Sequence, residues 1–239
     1  MTLGAMQPYL FPYLGYFQLM DCVDTYMFCG NLQYMKSGWI NRNNICIHKD
    51  QRYLFSFSVV GDDHKKNINQ RYYKDLKADC NVLKRHIYQN YKRAANFDEA
   101  YMVLEEALDF NIDNVAYFNM NADYIIARYL GIETEIQCTD TIDDEIFWYN
   151  FNQLEREKRV VYLCNYKKAD TYVNAIGGIP LYHKEFFLKS GVELKFLRMN
   201  NIVYSQFGKE FASNLSIIDV MMHNKIDDLK LMLKKYQLE

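Results

Sequence analysis

The stretch Met6-Gln7-Pro8-Tyr9-Leu10-Phe11-Pro12-Tyr13-Leu14-Gly15-Tyr16 decides the fold, and it holds two of the chain's three prolines. It joins a short apolar run, Thr2 to Ala5, to an amphipathic run from Leu14 to Val23. Proline lacks an amide donor and restrains the residue before it, so a strand should stop at Gln7 and a helix should start after Pro12. The segment reads as strand, tight polar-aromatic loop, helix. Open α/β sheets bind ligands where a buried strand ends in such a loop. These opening residues are therefore a candidate binding site rather than a tail.

Outward from this loop, Thr25 to Cys29 reads as a second strand. Gly30 to Tyr34 and Ser37 to Asn44 carry amide, aromatic and cationic groups with few apolar anchors, the texture of a binding loop. Ile45 to Ile47 and Tyr53 to Val59 alternate as strands, paired as a hairpin across His48-Lys49-Asp50-Gln51, and Gly61 to His64 reads as a turn. From 69 to 131 the texture is helical: Leu76, Val82, Leu83, His86 and Ile87 recur at helical spacing, Phe97 to Phe110 and Val115 to Leu130 follow, and Gly131 is a C-cap.

Alternation then resumes. Ile132 to Cys138 is strand-like, Asp143 to Arg159 helical, Val160 to Cys164 a short buried strand, and Tyr172 to Asn174 another. Leu181 to Ser190 should be a helix ended by Gly191, Val192 to Leu197 a strand, and Leu215 to His223 and Lys225 to Gln237 helices. Strands separated by helices imply a largely parallel sheet. The expected fold is α/β: a mostly parallel sheet with flanking helices in one domain over 1–239, with 69–131 a helical subdomain inserted in it or packed beside it.

Composition narrows the function classes. Half the residues are hydrophobic and 24% charged, as in ordinary globular proteins, but 16% are aromatic, with 21 tyrosines and 15 phenylalanines. Tyrosine buries a ring and keeps a hydroxyl, which suits sugar or nucleotide pockets; drift toward Asn, Lys, Ile and Tyr explains the same bias. The net charge is −2, and no Lys/Arg block forms a nucleic-acid footprint. No stretch approaches the roughly 18–20 apolar residues of a membrane span, and no basic segment precedes an apolar core at the start, so a cytoplasmic location is expected. Six scattered cysteines without a C-x-x-C pair, and five histidines without ligand spacing, point to neither disulfides nor structural zinc.

Four constellations carry chemistry-bearing residues. Phe11-Pro12-Tyr13-Leu14-Gly15-Tyr16 resembles the P-x-H-x-G-H layout of nucleotidylyltransferases and class I synthetases, with Tyr13 and Tyr16 in the histidine positions and the proline displaced by one residue. A phenol donates a hydrogen bond to phosphate but brings no imidazolium charge. Nucleotide or phosphate binding fits better than adenylyl transfer, and an aromatic staple on the helix start is the competing reading. The second constellation is Gln33 with Trp39, Asn41 and Arg42: a bidentate cation, a stacking face and amides, or else an edge-strand turn. Gly177-Gly178 is an anion-binding turn or an ordinary one. Last, Tyr204, Gln206 and Phe211 precede Asn214-Leu215-Ser216-Ile217-Ile218-Asp219. Asp219, flanked by apolar residues, must be either solvated or buried with a partner, and a buried carboxylate there serves as general base or amine site, or as a helix-dipole partner. No Ser-His-Asp order, HExxH or complete P-loop appears.

Together these motifs resemble the WbqC-like family. Met6 to Phe17 match its M-Q-P-Y-x-F-P-Y-x-G-Y-F opening, Asp24 and Gln33 its next spaced pair, Gly38 to Asn43 its G-W-I-N-R-N, and Tyr204, Gln206 and Phe211 to Asp219 its Y-x-Q and F-x-x-x-L-S-I-I-D. The resemblance implies a protein of O-antigen or other surface-polysaccharide clusters, with a nucleotide-linked or lipid-linked sugar as substrate and glycine or another small acyl group transferred to an amino sugar. Glycine must be activated first, so ATP or an activated aminoacyl donor is implied. On this reading Gln7, Tyr13, Tyr16, Gln33, Trp39, Asn41 and Arg42 line the pocket with Tyr204 and Gln206. Asp219 is the candidate base, Tyr16 its catalytic companion, and no metal is needed. Pro8 to Tyr16, Gln33 to Asn43 and Tyr204 to Gln206 should then converge on one cleft. The alternatives are a non-catalytic sugar-nucleotide binding protein and a nucleotidyltransferase-like enzyme.

Overall fold

The computed structural model describes residues 1–47, 51–61 and 65–239. Strand β1 (Thr2–Met6) stops one residue short of Gln7 and helix α1 (Leu14–Asp21) begins after Pro12, as the two prolines dictate. β2 (Thr25–Phe28) lies parallel to β1, with Leu3 opposite Thr25 and Met6 opposite Phe28. A hairpin of β3 (Arg42–Ile47) and β4 (Gln51–Ser56) follows outside the main sheet. Its expected connection, His48 to Asp50, lies outside the described residues, as do Asp62 to His64 of the expected turn.

Helices α2 (Leu76–Tyr91), α3 (Phe97–Leu108) and α4 (Val115–Leu130) fill the expected helical stretch. Asn114 caps α4 by accepting from the amides of Ala116 and Tyr117, and Gly131 ends it in the left-handed region at φ 74°. Then come β5 (Glu135–Cys138), α5 (Glu145–Gln153), α6 (Glu157–Lys167), β6 (Thr171–Ala175), α7 (Lys184–Lys189), β7 (Glu193–Met199), α8 (Ile217–His223), α9 (Ile226–Leu233) and β8 (Tyr236–Leu238).

The main sheet has the order β5-β2-β1-β6-β7-β8, parallel except for the antiparallel β7–β8 pair. From β1 the chain winds outward through β2 to β5, then returns to the other side of β1 for β6 and β7. The direction reverses between β1 and β6, which is where such sheets open a crevice beyond their carboxyl ends. Alternating side chains build a core on each face. Leu3, Met27, Tyr172 and Phe196 pack with α5, α6 and α7; Tyr26, Phe28, Val173 and Leu197 pack with α1, the hairpin, α2 to α4, α8 and α9.

Three expectations need correction. Val160 to Cys164 is no strand but part of α6, where the same apolar residues bury Val161, Leu163 and Cys164 at helical spacing; a short apolar run does not tell the two apart. The helix expected over Asp143 to Arg159 is broken into α5 and α6 around Arg156, whose φ is 44°. α9 stops at Leu233, and β8 follows where helix was expected to run to Gln237.

Candidate functional site

The loop after β1 is held from several directions. Phe11 is fully buried at φ 47°, a conformation that bulky side chains avoid and that Pro12 further disfavours. Its carbonyl accepts from Asn43 Nδ2 at 2.7 Å and from Ser216 Oγ at 2.7 Å, and the next carbonyl, of Pro12, accepts from the Ile217 amide at 2.7 Å. Asn119 Nδ2 on α4 bridges the Pro8 and Ile40 carbonyls at 3.1 and 2.7 Å, while its Oδ1 accepts from the Tyr73 hydroxyl at 2.8 Å. Strained backbone of this kind costs roughly 1–3 kcal/mol and survives only when its surroundings over-determine it.

The two residues expected to carry catalysis lie within this framework. Tyr16 is 1% exposed, its hydroxyl donates to the Gln7 carbonyl at 2.9 Å, and burial holds the phenol well above its ordinary pKa. Asp219 is 0% exposed; its carboxylate accepts from the hydroxyls of Tyr91 at 2.6 Å and Tyr204 at 2.7 Å and from Gln206 Nε2 at 2.8 Å. Burial, then the neighbouring carboxylate, pushes both of those phenols up. Buried and hydrogen-bonded in this way, Tyr16 and Asp219 tie together the segments around them.

The expected pocket residues do not meet in one cleft. Tyr13 and Tyr204 line a hollow of about 370 Å³ with Met199, Asn200 and Asn214. Asn41 and Arg42 line another, of about 480 Å³, with Tyr34, Lys36, Ser56 and Arg71. There Asn41 is committed to Tyr34 and Phe57, and the Arg42 guanidinium donates to the carbonyls of Ser37 and Gly38 with its charge 5.9 Å from the Trp39 ring. Gln7 Nε2 reaches the Gln33 carbonyl at 3.4 Å, tying the tip of β1 to that loop. Gly178 packs against the Asn174 side chain in a 3-10 turn over Ile176–Leu181.

A hollow of about 490 Å³ opens at the crossover between β1 and β6. Ala5, Cys29, Leu32 and Tyr172 form its apolar floor, and the Tyr172 hydroxyl reaches the Ala5 carbonyl at 3.3 Å. Its charged wall is Arg156, Glu157 and Arg159 at the start of α6 and His183 just before α7. Arg159 is fixed by its Nε on the Leu154 carbonyl at 2.7 Å and by the Phe151 ring, 5.3 Å from its charge. Arg156 is exposed in its left-handed turn. The His183 ring places Nδ1 3.1 Å from Glu157 Oε2, and its amide donates to the same oxygen at 2.9 Å, which leaves Nε2 for a ligand. Volume, apolar floor and a few convergent polar groups match a small-molecule site. Sequence reading missed these residues; the signal was two arginines three apart at a helix start, whose partner His183 lies far along the chain. Among the described residues no group of three or more His, Cys, Asp or Glu is arranged to hold a metal ion, and no helix is long and apolar enough to cross a membrane.

The sheet order and the hollow define a doubly wound α/β protein with a charged hollow at its crossover. The chain belongs to the WbqC-like protein family, whose model matches residues 7–231. It is also similar to the uncharacterized protein Rv1507c of Mycobacterium tuberculosis (strain ATCC 25618 / H37Rv), 24% identical over 225 residues that cover 92% of each chain. No solved structure matches it.

Proposed function

We propose that the chain is a transferase of surface-polysaccharide assembly that moves glycine or another small acyl group from an activated donor to an amino sugar. The crossover hollow holds the phosphorylated substrate, a sugar nucleotide or the activated donor. The observation that carries this reading is the pairing of Arg156 and Arg159 with the His183–Glu157 couple in one hollow at the point where the sheet reverses direction. Guanidinium groups at a helix start suit phosphate oxygens through charge-assisted hydrogen bonds. A histidine held by a carboxylate at Nδ1 has its other nitrogen free to take a proton. In the transfer, the amine lone pair forms the new C–N bond, the bond from the acyl carbon to its leaving group breaks with its electron pair, and the amine proton passes to His183 Nε2. Tyr16, Asp219 and the Phe11 clamp keep the loop beside the site in place. Tyr13 with Tyr204, and Asn41 with Arg42, line two hollows apart from this one, and Gln7 ties the end of β1 to the Gln33 loop.

A second reading, a sugar-nucleotide binding protein without turnover, draws on the burial of Tyr16 and Asp219. The test separates the two. UDP- and dTDP-amino sugars and ATP are titrated by calorimetry against the native chain and Arg156→Ala, and amide formation is followed by mass spectrometry with glycyl adenylate as the activated donor. Binding that weakens about tenfold or more in the variant, the worth of a charged hydrogen bond, supports the site. Binding without any product supports the second reading, and no binding by any of these ligands ends both.

A further inference from the structure

Beside the crossover hollow lies a second, smaller one of about 370 Å³, at the carboxyl ends of β2 and β5. The two share a wall: Leu32 and Phe151 line the first, while their neighbours Asn31 and Asn152 line the second. Their chemistry is opposite. Among the described residues the lining of the second hollow holds no arginine or lysine; it has the carboxylate of Asp140, the amides of Asn31, Asn67, Asn69 and Asn152, and the aromatic rings of Tyr117 and Trp148.

Asp140 follows β5 and is half-buried. Its Oδ2 accepts from Asn69 Nδ2 at 3.0 Å, and no ion pair reaches it among the described residues. It fits against Gly30, where an added Cβ would stand 3.0 Å from that oxygen and 2.9 Å from Met120, so any larger residue at 30 would displace the carboxylate. Asn31 spends its Oδ1 on the Thr139 hydroxyl at 2.8 Å, which keeps its amide N–H groups available. Asn69 Oδ1 is buried with no hydrogen-bond donor among the described residues. An anionic group beside the Asn31 amide N–H groups, the unpartnered Asn69 Oδ1 and aromatic faces recognises a molecule with a cationic nitrogen, several hydroxyls and an apolar ring face.

We infer that this hollow is a second ligand subsite, apart from the place of reaction, and that Asp140 receives the ammonium group of an amino sugar whose hydroxyls face the asparagines. The inference rests on the transferase reading for its biological sense, but the binding itself does not depend on the crossover hollow.

The test uses methyl β-D-glucosaminide, methyl β-D-glucoside and methyl N-acetyl-β-D-glucosaminide, each titrated into the full chain and followed by NMR chemical-shift changes, with UDP titrated in parallel. The amine should bind roughly three- to fivefold more tightly than either neutral sugar, the scale of a partly exposed charge pair. Asp140→Asn should erase that preference. Asn152→Lys, at an exposed position that places a cation at the rim, should weaken the glucosaminide more than the glucoside, and it stands in if Asp140→Asn does not fold. Equal affinities for the three sugars in the native chain, or a preference that survives both variants, overturn the inference. UDP should bind alike in the native chain and Asp140→Asn, and weaken in Arg156→Ala. Loss of that UDP response with the amine preference intact strikes the crossover site and leaves this one standing.

Discussion

Asn43 and Ser216 donate to a single atom, the carbonyl oxygen of Phe11, each at 2.7 Å, although they are separated along the chain by most of the fold. The three segments that carry the family motifs therefore meet in a clamp on strained backbone, and the first and last of them also line one hollow through Tyr13 and Tyr204. Either donor alone still satisfies the carbonyl, whereas losing both strands a buried acceptor. Asn43→Ala or Ser216→Ala should cost about 1–1.5 kcal/mol each, and the double variant more than their sum by roughly 0.5–1 kcal/mol. Chemical denaturation of the four proteins in a double-mutant cycle measures this, and additive costs would remove the shared-acceptor account.

Asp219→Asn replaces an acceptor-only group by one that presents N–H groups to the Tyr91, Tyr204 and Gln206 donors. Stability should fall by roughly 2–4 kcal/mol, since hydrogen bonds to a charged group are lost. A melting temperature within a degree of the native value, together with lost turnover, would instead mark Asp219 as a base.

Much of the fold could be read from the sequence, because prolines and glycines punctuate it where geometry requires. Pro8 and Pro12 end β1 and open α1, and Gly131 ends α4. Val160 to Cys164 misled because four apolar residues in five satisfy a strand and a buried helix face equally. The edge strand Tyr236–Leu238 is only three residues long and takes its shape from pairing with β7, which no local pattern announces. The motifs marked the residues that hold the first loop; the crossover hollow draws on Arg156, Glu157, Arg159 and His183, which only the sheet order brings together.

Arg42→Lys should loosen the loop it closes. A lysine point charge does not span the Ser37 and Gly38 carbonyls as the planar fork does. The expected loss is about 1–2 kcal/mol of stability, with UDP affinity unchanged. A drop in nucleotide affinity of tenfold or more in this variant would move the phosphate site to Arg42.

Asp123 gives a pH dependence with a definite sign. It is 0% exposed on α4, and burial raises its pKa well above the ordinary value, more than the nearby Tyr16 hydroxyl lowers it. The folded chain keeps the proton that the unfolded chain releases above about pH 4, so stability falls as pH rises from there toward the folded value, by about 1.4 kcal/mol per pH unit. Asp123→Asn removes that slope. Its melting temperature should match the native one near pH 4 and exceed it increasingly toward neutrality; parallel curves would contradict the assignment.

His183→Gln should reduce kcat by about 10²–10⁴-fold while sparing UDP affinity, the signature of lost proton transfer. Glu157→Gln, which still holds the ring by a hydrogen bond, should act in the same direction and more weakly. An unchanged kcat in both would exclude the pair from the chemistry.

The Phe11 clamp also bears on how the chain is made. Two of the bonds that fix this early loop come from Ser216 Oγ and the Ile217 amide. During synthesis β1 and α1 leave the ribosome long before those partners exist, so the loop must wait, unfinished, until Ser216 and Ile217 have emerged. Long-range closure of this kind slows folding and leaves apolar residues such as Leu10 and Phe11 uncovered in the interim. A nascent chain stalled before Ser216 should therefore be a preferred client of chaperones and an easy substrate for proteases at Tyr9 to Tyr13.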